Sequence, residues 1–417
     1  MTIAEKILAR ASGKDKVKPG EIVNALVDVA MSHENADVVR RHFEQIGIER
    51  VWDPNKIVIL FDHRIPAESE KTAITHKVLR EFVKKHGIKN FYDMKAGICH
   101  QILPEKGHVR PGELLVGTDS HTTTHGAFGA FATGIGATDM AGVWATGTIW
   151  FKVPETIKIE VKGKFPEWLS AKDIILYIIG KLGAAGADYK AVEFHGATIR
   201  EMSIASRMVL SNLSMEMGAK VAFVLPDERT IEYVRARTSK PFESVLPDDD
   251  AVYEKSLVVD VSDLEPQIAC PHAVDNVKPI GEVKGMKVHQ ALIGSCTNGR
   301  LEDLGVAAKI LYHKRVHPDV RLLVIPASWE VYLEAMKKGY LETFIRAGAL
   351  IVNPGCGPCL GAHQGILAPG ERCISTTNRN FRGRMGSPES EIYLASPTVV
   401  AASAIRGEIA DPRELSI

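Results

Sequence analysis

Ala349-Leu350-Ile351-Val352-Asn353-Pro354-Gly355-Cys356-Gly357-Pro358-Cys359 reads as a short apolar strand that empties into a tight loop carrying two cysteines. The glycines and prolines around them set a bend in which both sulfurs can face one point, as a metal or cluster requires of a Cys-x-x-Cys pair. Taken by itself the pair leaves three readings open: a redox dithiol, half of a zinc site, or part of an iron-sulfur site. A second element narrows them. Upstream, Leu292-Ile293-Gly294-Ser295-Cys296-Thr297-Asn298-Gly299 repeats the apolar strand and polar loop, this time with one cysteine. Three thiolates on two strand ends make a three-cysteine site. A closed structural zinc site takes four protein ligands, whereas three ligands with an open position mark a catalytic centre.

The rhythm around these loops is that of a parallel sheet. Ala291 to Ile293, a helix through Leu304 and Ile310, Leu322 to Ile325, a helix through Tyr332 and Met336, and Leu350 to Val352 alternate strand with helix. A last strand, Arg372-Cys373-Ile374-Ser375, runs into Thr376-Thr377-Asn378-Arg379-Asn380-Phe381-Arg382-Gly383-Arg384. Three arginines beside a metal loop are hard to explain structurally. Guanidinium forks suit carboxylates, so Arg379 and Arg384 are candidates for holding a di- or tricarboxylate. Ser396-Pro397 caps a closing helix that Gly407 ends.

Nearer the amino terminus, Glu21 to Gly47 reads as a strand and then a helix with Val38, Val39, Phe43 and Ile46 on one apolar face. Ile57-Val58-Ile59-Leu60-Phe61 is apolar on both faces, as in a covered parallel sheet, and delivers Asp62-His63 at its carboxyl end. A helix from about Ala67 to Gly87 is expected to bury Ile74, Val78 and Phe82. After Cys99-His100, the strand Leu114-Leu115-Val116 ends in Gly117-Thr118-Asp119-Ser120-His121-Thr122. Polar groups that gather just past apolar strands can converge in the crevice at the carboxyl end of an open sheet. Asp62, His63, His100, Asp119 and His121 are therefore candidate site residues. Cys99, between Ile98 and Ile102, is expected to pack as a small apolar residue. The glycine-rich tract from Gly126 to Gly142 lacks both the dinucleotide spacing and a Gly-Lys-Ser/Thr ending, which points to close helix packing.

Pro154 and the alternating strand Ile157 to Val161 mark a boundary near residue 152. Ser170 and Asp173 signal the next helix, with Ile174, Ile175, Ile178 and Ile179 buried. Val192-Glu193-Phe194-His195 puts a carboxylate inside an apolar strand, where it must be paired, so Glu193 joins the site candidates; His195 is read as facing the other way. The acidic stretch from Ser239 to Asp263 reads as solvated surface, and the prolines and glycines that follow, with Cys270 among them, read as a linker. The expected organisation is α/β throughout, with mostly parallel sheets: a first domain over residues 1–152, a second over 153–265, a linker over 266–287 and a third domain over 288–417.

Composition sets the class. Lysine plus arginine and aspartate plus glutamate number 51 each in 417 residues, so no net field favours nucleic acid or an acidic membrane surface. The first ten residues form a charged amphipathic helix without the apolar centre of a signal peptide, and no apolar run approaches the roughly 20 residues of a membrane span. The expected location is the cytoplasm. Six cysteines suit a reducing compartment and a metal better than disulfides.

Four segments taken together, Gly117 to Thr122, Ser295 to Asn298, Pro354 to Cys359 and Asn378 to Phe381, resemble the aconitase superfamily, in order and across nearly the whole chain. The nearest branch is that of the large subunits of 3-isopropylmalate dehydratase and homoaconitase. The resemblance implies three α/β domains around a [4Fe-4S] cluster, with Cys296, Cys356 and Cys359 binding three irons and the fourth iron open to substrate. It further implies active-site positions at Asp62, His63, His100, Asp119, Ser120, His121, Glu193, Asn378, Arg379 and Arg384. An open iron is a Lewis acid that makes hydroxide a feasible leaving group. His63, paired with Asp62, is the expected general acid, and His100, Asp119, His121 and Glu193 would orient water and hydroxyl.

In the family the base that removes the α-proton is a serine in a Gly-Ser-Ser-Arg loop on a separate mobile domain, and this chain contains no such segment. The chain ends at Ile417 soon after its closing helix. The expectation is a separate small subunit that brings the base, making the enzyme a hetero-oligomer acting on a small hydroxy acid. One departure concerns the substrate: where relatives usually carry His-Asp and then a threonine, this chain has Ser32-His33-Glu34-Asn35-Ala36, which leaves room for another 2-alkylmalate such as dimethylmalate. Two competing readings fare worse. A zinc-stabilised binding module needs a fourth ligand, for which His363 is the nearby offer. A dithiol enzyme leaves Cys296 and the arginines without a role.

Overall fold

The computed structural model describes residues 1–166 and 168–415, so Ser416 and Ile417, the end of the expected third domain, lie outside the described residues. The chain forms two compact units, each from two stretches: Met1–Lys162 with Ala187–Val259, and Gly163–Gly186 with Asp260–Ile417. This division differs from the three consecutive domains expected, for reasons visible in the strand pairing.

In unit 1 a five-stranded sheet runs in the order Asn90–Tyr92, Ile57–Leu60, Val29–Ser32, Leu114–Gly117, Phe131–Gly134. Every neighbouring pair is parallel. The chain moves outward from Val29–Ser32 to one edge, then restarts beside it at Leu114–Gly117 and moves to the other. Such a reversal opens a crevice at the carboxyl ends of the two central strands. Helices Ala36–Ile46, Glu70–His86 and Ala137–Thr146 accompany the sheet. The first two end, as expected, in left-handed glycines at Gly47 and Gly87. Their buried stripes are narrower than expected. Val39 and Phe43 are buried while Val38 and Ile46 are exposed, and Ile74 is 56% exposed because the inward stripe is Thr72, His76, Leu79, Phe82 and Val83. Ile74 lies about 200° around the helix from Thr72 and from His76, on the opposite face.

The second sheet of unit 1 is ordered Val221–Val224, Ala191–His195, Thr156–Lys162, Lys255–Asp260, its first three strands parallel. The last strand corrects the purely solvated reading of Ser239 to Asp263; it lies at a sheet edge with Val259 alone of its residues buried. A 3-10 helix, Ser120–Phe128, packs so closely on this sheet that a Cβ on Gly126 would lie 1.9 Å from the Ala222 carbonyl oxygen. Close packing is thus the use of at least this glycine of the tract.

Unit 2 is built on seven strands in the order Val277–Pro279, Gln267–Ala269, Glu391–Leu394, Arg372–Ser375, Gln290–Ile293, Arg321–Val324, Leu350–Ile351. The five from Glu391–Leu394 onward are parallel. The first two form an antiparallel hairpin joined to the sheet where Ala269 pairs with Leu394. This hairpin is the stretch expected to be a linker; its backbone groups are satisfied by the sheet instead of by water. Helix Ala171–Leu182 packs against the same hairpin, with Gly180 so close to Val277 that a Cβ would meet it at 2.8 Å. The helix therefore belongs to unit 2 and not to a second consecutive domain. Its Ser170–Asp173 capping box and its buried Ile174, Ile175, Ile178 and Ile179 are as expected.

The five parallel strands of unit 2 repeat the arrangement of unit 1. In both, chain order across the sheet is third, second, first, fourth, fifth, so unit 2 has its own reversal point between Gln290–Ile293 and Arg372–Ser375. No internal repeat is visible residue by residue; the repetition is one of topology. Among the described residues no helix is long and apolar enough to cross a membrane.

Candidate active site

Unit 1 places a polar group at its reversal point. Strand Ile57–Leu60 carries on through Phe61 to Asp62, whose side chain is fully buried. One carboxylate oxygen of Asp62 meets His63 Nδ1 at 2.5 Å and the other accepts the Cys99 N–H at 2.7 Å. Asp119, just beyond strand Leu114–Gly117, is the hub: Oδ1 lies 2.9 Å from His100 Nε2 and accepts the His121 N–H at 2.8 Å, while Oδ2 lies 3.5 Å from His63 Nε2. Ser120 Oγ is 3.4 Å from His121 Nδ1. The structure thus brings together Asp62, His63, His100, Asp119, Ser120 and His121. His63 and Asp119 keep about 15% of their side-chain surface exposed, so the group is open at one side.

The charges follow from these contacts. Burial would raise the Asp119 carboxyl, yet hydrogen bonds from His100, His121 and His63 hold it well below the usual range. Burial likewise opposes ionisation of Asp62, and His63, His33 and the Cys99 N–H together more than offset it, so this carboxyl too is lowered. For His100 burial wins and lowers the imidazole against the pull of Asp119. At neutral pH the group therefore holds two carboxylates and a neutral His100.

Three further residues join the group, two of them from the turn at Ser32 to Ala36 that the sequence ties to the substrate. Glu34 Oε1 accepts the backbone N–H of Asp62, His63 and Arg64 at 3.0, 3.0 and 2.9 Å, which fixes the turn that presents His63. The His33 ring stacks on His63 at 4.1 Å. Both follow strand Val29–Ser32 directly, so the same strand-end signal that marked Asp62 was available for them. The third is Glu216, whose Oε1 lies 2.7 Å from His121 Nε2. It sits in a short 3-10 turn after helix Ile204–Leu213, and no local pattern announces it.

Glu216, and not Glu193, is bonded to this group. Glu193 is buried and paired, as its strand position required, but its partners are the Ile3 N–H at 2.8 Å, Tyr253 OH at 2.8 Å and His195 Nε2 at 3.2 Å. Its carboxylate thus ties the amino-terminal helix Ile3–Ala11 to the sheet. His195 shares a face with Glu193, contrary to expectation, because side chains two apart in a strand point the same way. Glu193→Ala is expected to lower unfolding stability by about 1–3 kcal/mol and leave turnover per folded molecule unchanged, whereas Glu216→Gln lowers turnover. Denaturant titration beside steady-state kinetics checks both.

Unit 2 gathers its cysteines at its own reversal point. Cys296 lies in the short helix Ser295–Asn298 directly after strand Gln290–Ile293, and Cys359 lies in a 3-10 turn after Leu350–Ile351. Both are buried, and Cys356 is partly open. Asn378, beyond strand Arg372–Ser375, joins them: its Nδ2 donates to Cys296 Sγ at 3.3 Å, and Cys359 Sγ donates to its Oδ1 at 3.5 Å. Arg379, half-buried, follows on the same loop. Arg384 is committed in part, since its Nε donates to the Cys359 carbonyl at 2.9 Å. Arg300, not foreseen, donates to the carbonyls of Thr297 and Cys296, each at 2.7 Å. Lys172 Nζ, fully buried, donates to the carbonyls of Thr376 at 2.8 Å and Thr377 at 2.5 Å. Burial pulls its pKa down to about 7, opposed by the charges of Cys296, Cys359, Asp303 and Asp173.

The profile of the aconitase family (aconitate hydratase) matches residues 5–285 and 281–407. The chain belongs to the aconitase family. It is 59% identical over 413 residues to the 3-isopropylmalate dehydratase large subunit 1 of Methanopyrus kandleri, covering 99% of each chain. It is 59% identical over 416 residues to a probable 3-isopropylmalate dehydratase large subunit of Methanothermobacter thermautotrophicus, covering 100% of this chain and 99% of the relative. A probable methanogen homoaconitase large subunit from that same organism is 55% identical over 419 residues, at 99% and 98% coverage.

As an aconitase-family chain this is a hydro-lyase, and an iron-sulfur cluster is typical of the family. The residues present fit such a group. The three thiols stand past strand ends, the carbonyls of Cys296 and Cys359 are tied back by Arg300 and Arg384, and all six cysteines are thiols and not disulfides. Among the described residues, the set of three or more His, Cys, Asp or Glu ligand atoms within 4.8 Å of one another is His33, Glu34, Asp62 and His63. The three thiols with His363 do not form such a set, as the ligands of one zinc ion would. The remaining cysteines are poor ligands: burial pushes Cys373 up to about 12 and also raises Cys270, and Cys99 is fully enclosed.

Proposed function

We propose that this chain is the large subunit of a [4Fe-4S] hydro-lyase that reversibly dehydrates a 2-hydroxy di- or tricarboxylate of the 3-isopropylmalate or homocitrate type. Cys296, Cys356 and Cys359 would hold the cluster. The observation that carries the reading is Asn378, whose one amide contacts the sulfurs of two cysteines far apart in sequence and whose neighbour is Arg379. When bound, the cluster supplies a Lewis-acidic iron for the substrate's hydroxyl.

The chain's own residues supply the remainder. His63 gives its proton to the departing hydroxyl. Asp62, fully buried and bonded to Nδ1, sets the orientation of the ring and stabilises its charged form. Asp119 stays anionic and orients His100, His121 and the N–H groups around it, and Glu216 braces His121 from behind. Arg379 holds a substrate carboxylate through its planar fork. Arg384, with Nε already engaged, has its terminal nitrogens for a second carboxylate. Arg379→Lys is expected to cut kcat/KM about 100- to 1,000-fold while leaving iron content unchanged, since a point charge cannot replace a fork. Arg384→Lys, which also loosens the Cys359 carbonyl, is expected to lower both.

The relatives are named large subunits, which supports a small subunit as the source of the base that removes the α-proton. Closure of such a partner would exclude water and read the substrate's side chain. Asn35 exchanges two hydrogen bonds with Thr118, beside Asp119, so the altered turn at residues 33–35 is tied to the unit 1 group and favours a substrate test broad enough to include other 2-alkylmalates. The experiment mixes the reconstituted chain with a separately expressed small subunit and screens hydration and dehydration of malate and citrate homologues. Activity that appears on mixing supports the reading. Full turnover by the chain alone, or none with any hydroxy acid, contradicts it.

A further inference from the structure

Three cations donate to backbone carbonyls of the loops around the cysteines, and two of them, Arg300 and Arg384, follow Cys296 and Cys359 in the chain by 4 and 25 residues. The third comes from elsewhere in the chain. Lys172 is the second residue of helix Ala171–Leu182, more than a hundred residues before Cys296. A lysine with no exposed surface is rare, because its charge must be compensated by hydrogen bonds and opposite charge. Here the hydrogen bonds are two backbone carbonyls, Thr376 and Thr377, which immediately precede the Asn378 that contacts Cys296 and Cys359. The Thr376 carbonyl also accepts from Thr297 Oγ1, next to Cys296, and Thr376 Oγ1 donates to the Gly294 carbonyl and accepts the Gly294 N–H. Lys172 thus sits at the knot joining the strand ends of Cys296 and Asn378.

The position of this lysine is itself fixed. Ser170 Oγ accepts the Lys172 N–H at 3.1 Å, Asp173 returns a bond to the Ser170 N–H, and the other Asp173 oxygen accepts the Gln267 N–H at 3.0 Å. The helix start is therefore locked to the sheet edge on both sides of Lys172. A helix that served packing alone would place an apolar residue there, as it does at Ile174, Ile175 and Ile178.

We propose that Lys172 is a positioning residue of the cysteine site: its ammonium, bonded to the Thr376 and Thr377 carbonyls, fixes the strand end that carries Asn378 and offsets the negative charge of the cysteine site once the cluster is bound. The inference rests on the reading of these cysteines as cluster ligands. Three thiolates and a cluster carry net negative charge in a closed interior, and a buried cation close by both retains the cluster and eases its reduction.

The test uses the full chain, reconstituted anaerobically, as wild type, Lys172→Met and Lys172→Gln. Methionine removes charge and hydrogen bonds at similar length; glutamine keeps a donor and removes the charge. Both variants are expected to fold, to lose iron to a chelator about 10- to 100-fold faster than wild type, and to show a more negative cluster potential, with glutamine nearer wild type in iron loss than in potential. Wild-type protein that takes up no cluster would overturn the cluster reading itself. A cluster present in wild type and unchanged in both variants, in iron loss and in potential, overturns the role of Lys172 alone. Failure of both variants to fold in the iron-free state also overturns it, because the lysine would then serve the core.

Discussion

Replacing Cys296, Cys356 or Cys359 singly by serine is expected to abolish the brown iron-sulfur chromophore, while Cys99→Ser, Cys270→Ser and Cys373→Ser retain it. The contrast follows from placement and charge. The first three stand in polar loops at the ends of parallel strands, with Asn378 on two of the sulfurs and cations on the carbonyls of Cys296 and Cys359. Cys373 lies inside strand Arg372–Ser375 with its thiol pushed up to about 12 by burial, so it stays protonated at any working pH. Iron per chain and visible absorbance, measured beside far-ultraviolet dichroism to show that each variant folds, separate the two groups. Iron retained in any of the first three variants would remove that residue from the ligand set.

The second large effect is expected at His63. His63→Ala should lower kcat by about 100- to 10,000-fold with the cluster intact and KM little changed, the range for loss of a positioned proton donor. Asp62→Asn should lower kcat as well, because an amide cannot stabilise a charged imidazole as the carboxylate 2.5 Å from His63 Nδ1 can. Steady-state kinetics with the partner present, together with iron content, decide this. A normal kcat for His63→Ala would transfer the proton to another group, with His33, stacked on it at 4.1 Å, the first to examine.

How much of this was legible depended on whether a residue's role is local. The parallel-sheet character was, since Ile57–Leu60 and Gln290–Ile293 are buried on both faces and say so in their composition. The strand-end rule found Asp62, His63, Asp119, His121 and Cys296 for that reason. His33 and Glu34 are legible by the same rule, since they follow strand Val29–Ser32 directly. Glu216 and Lys172 were beyond it: the first is defined by its bond to His121 across 95 positions, the second by carbonyls 204 and 205 positions away. Glu193 shows the opposite failure. Burial of a carboxylate demanded partners, which it has, but nothing in the strand could tell a structural partner such as the Ile3 N–H from a catalytic one. The two units depart from the expected boundaries where the proline-rich stretch forms a sheet-edge hairpin packed by helix Ala171–Leu182.

On the proposed function, three cysteines of this chain hold a four-iron cluster with one iron left for substrate. The most direct measurement is the iron-57 Mössbauer spectrum of the reconstituted protein before and after addition of a 2-hydroxy dicarboxylate. One of the four iron sites is expected to shift on addition while the others stay put, and the shift is expected to be lost in Arg379→Lys at the same ligand concentration. A spectrum in which all four sites ignore the hydroxy acid, or a colourless protein that takes up zinc and no iron, would contradict it.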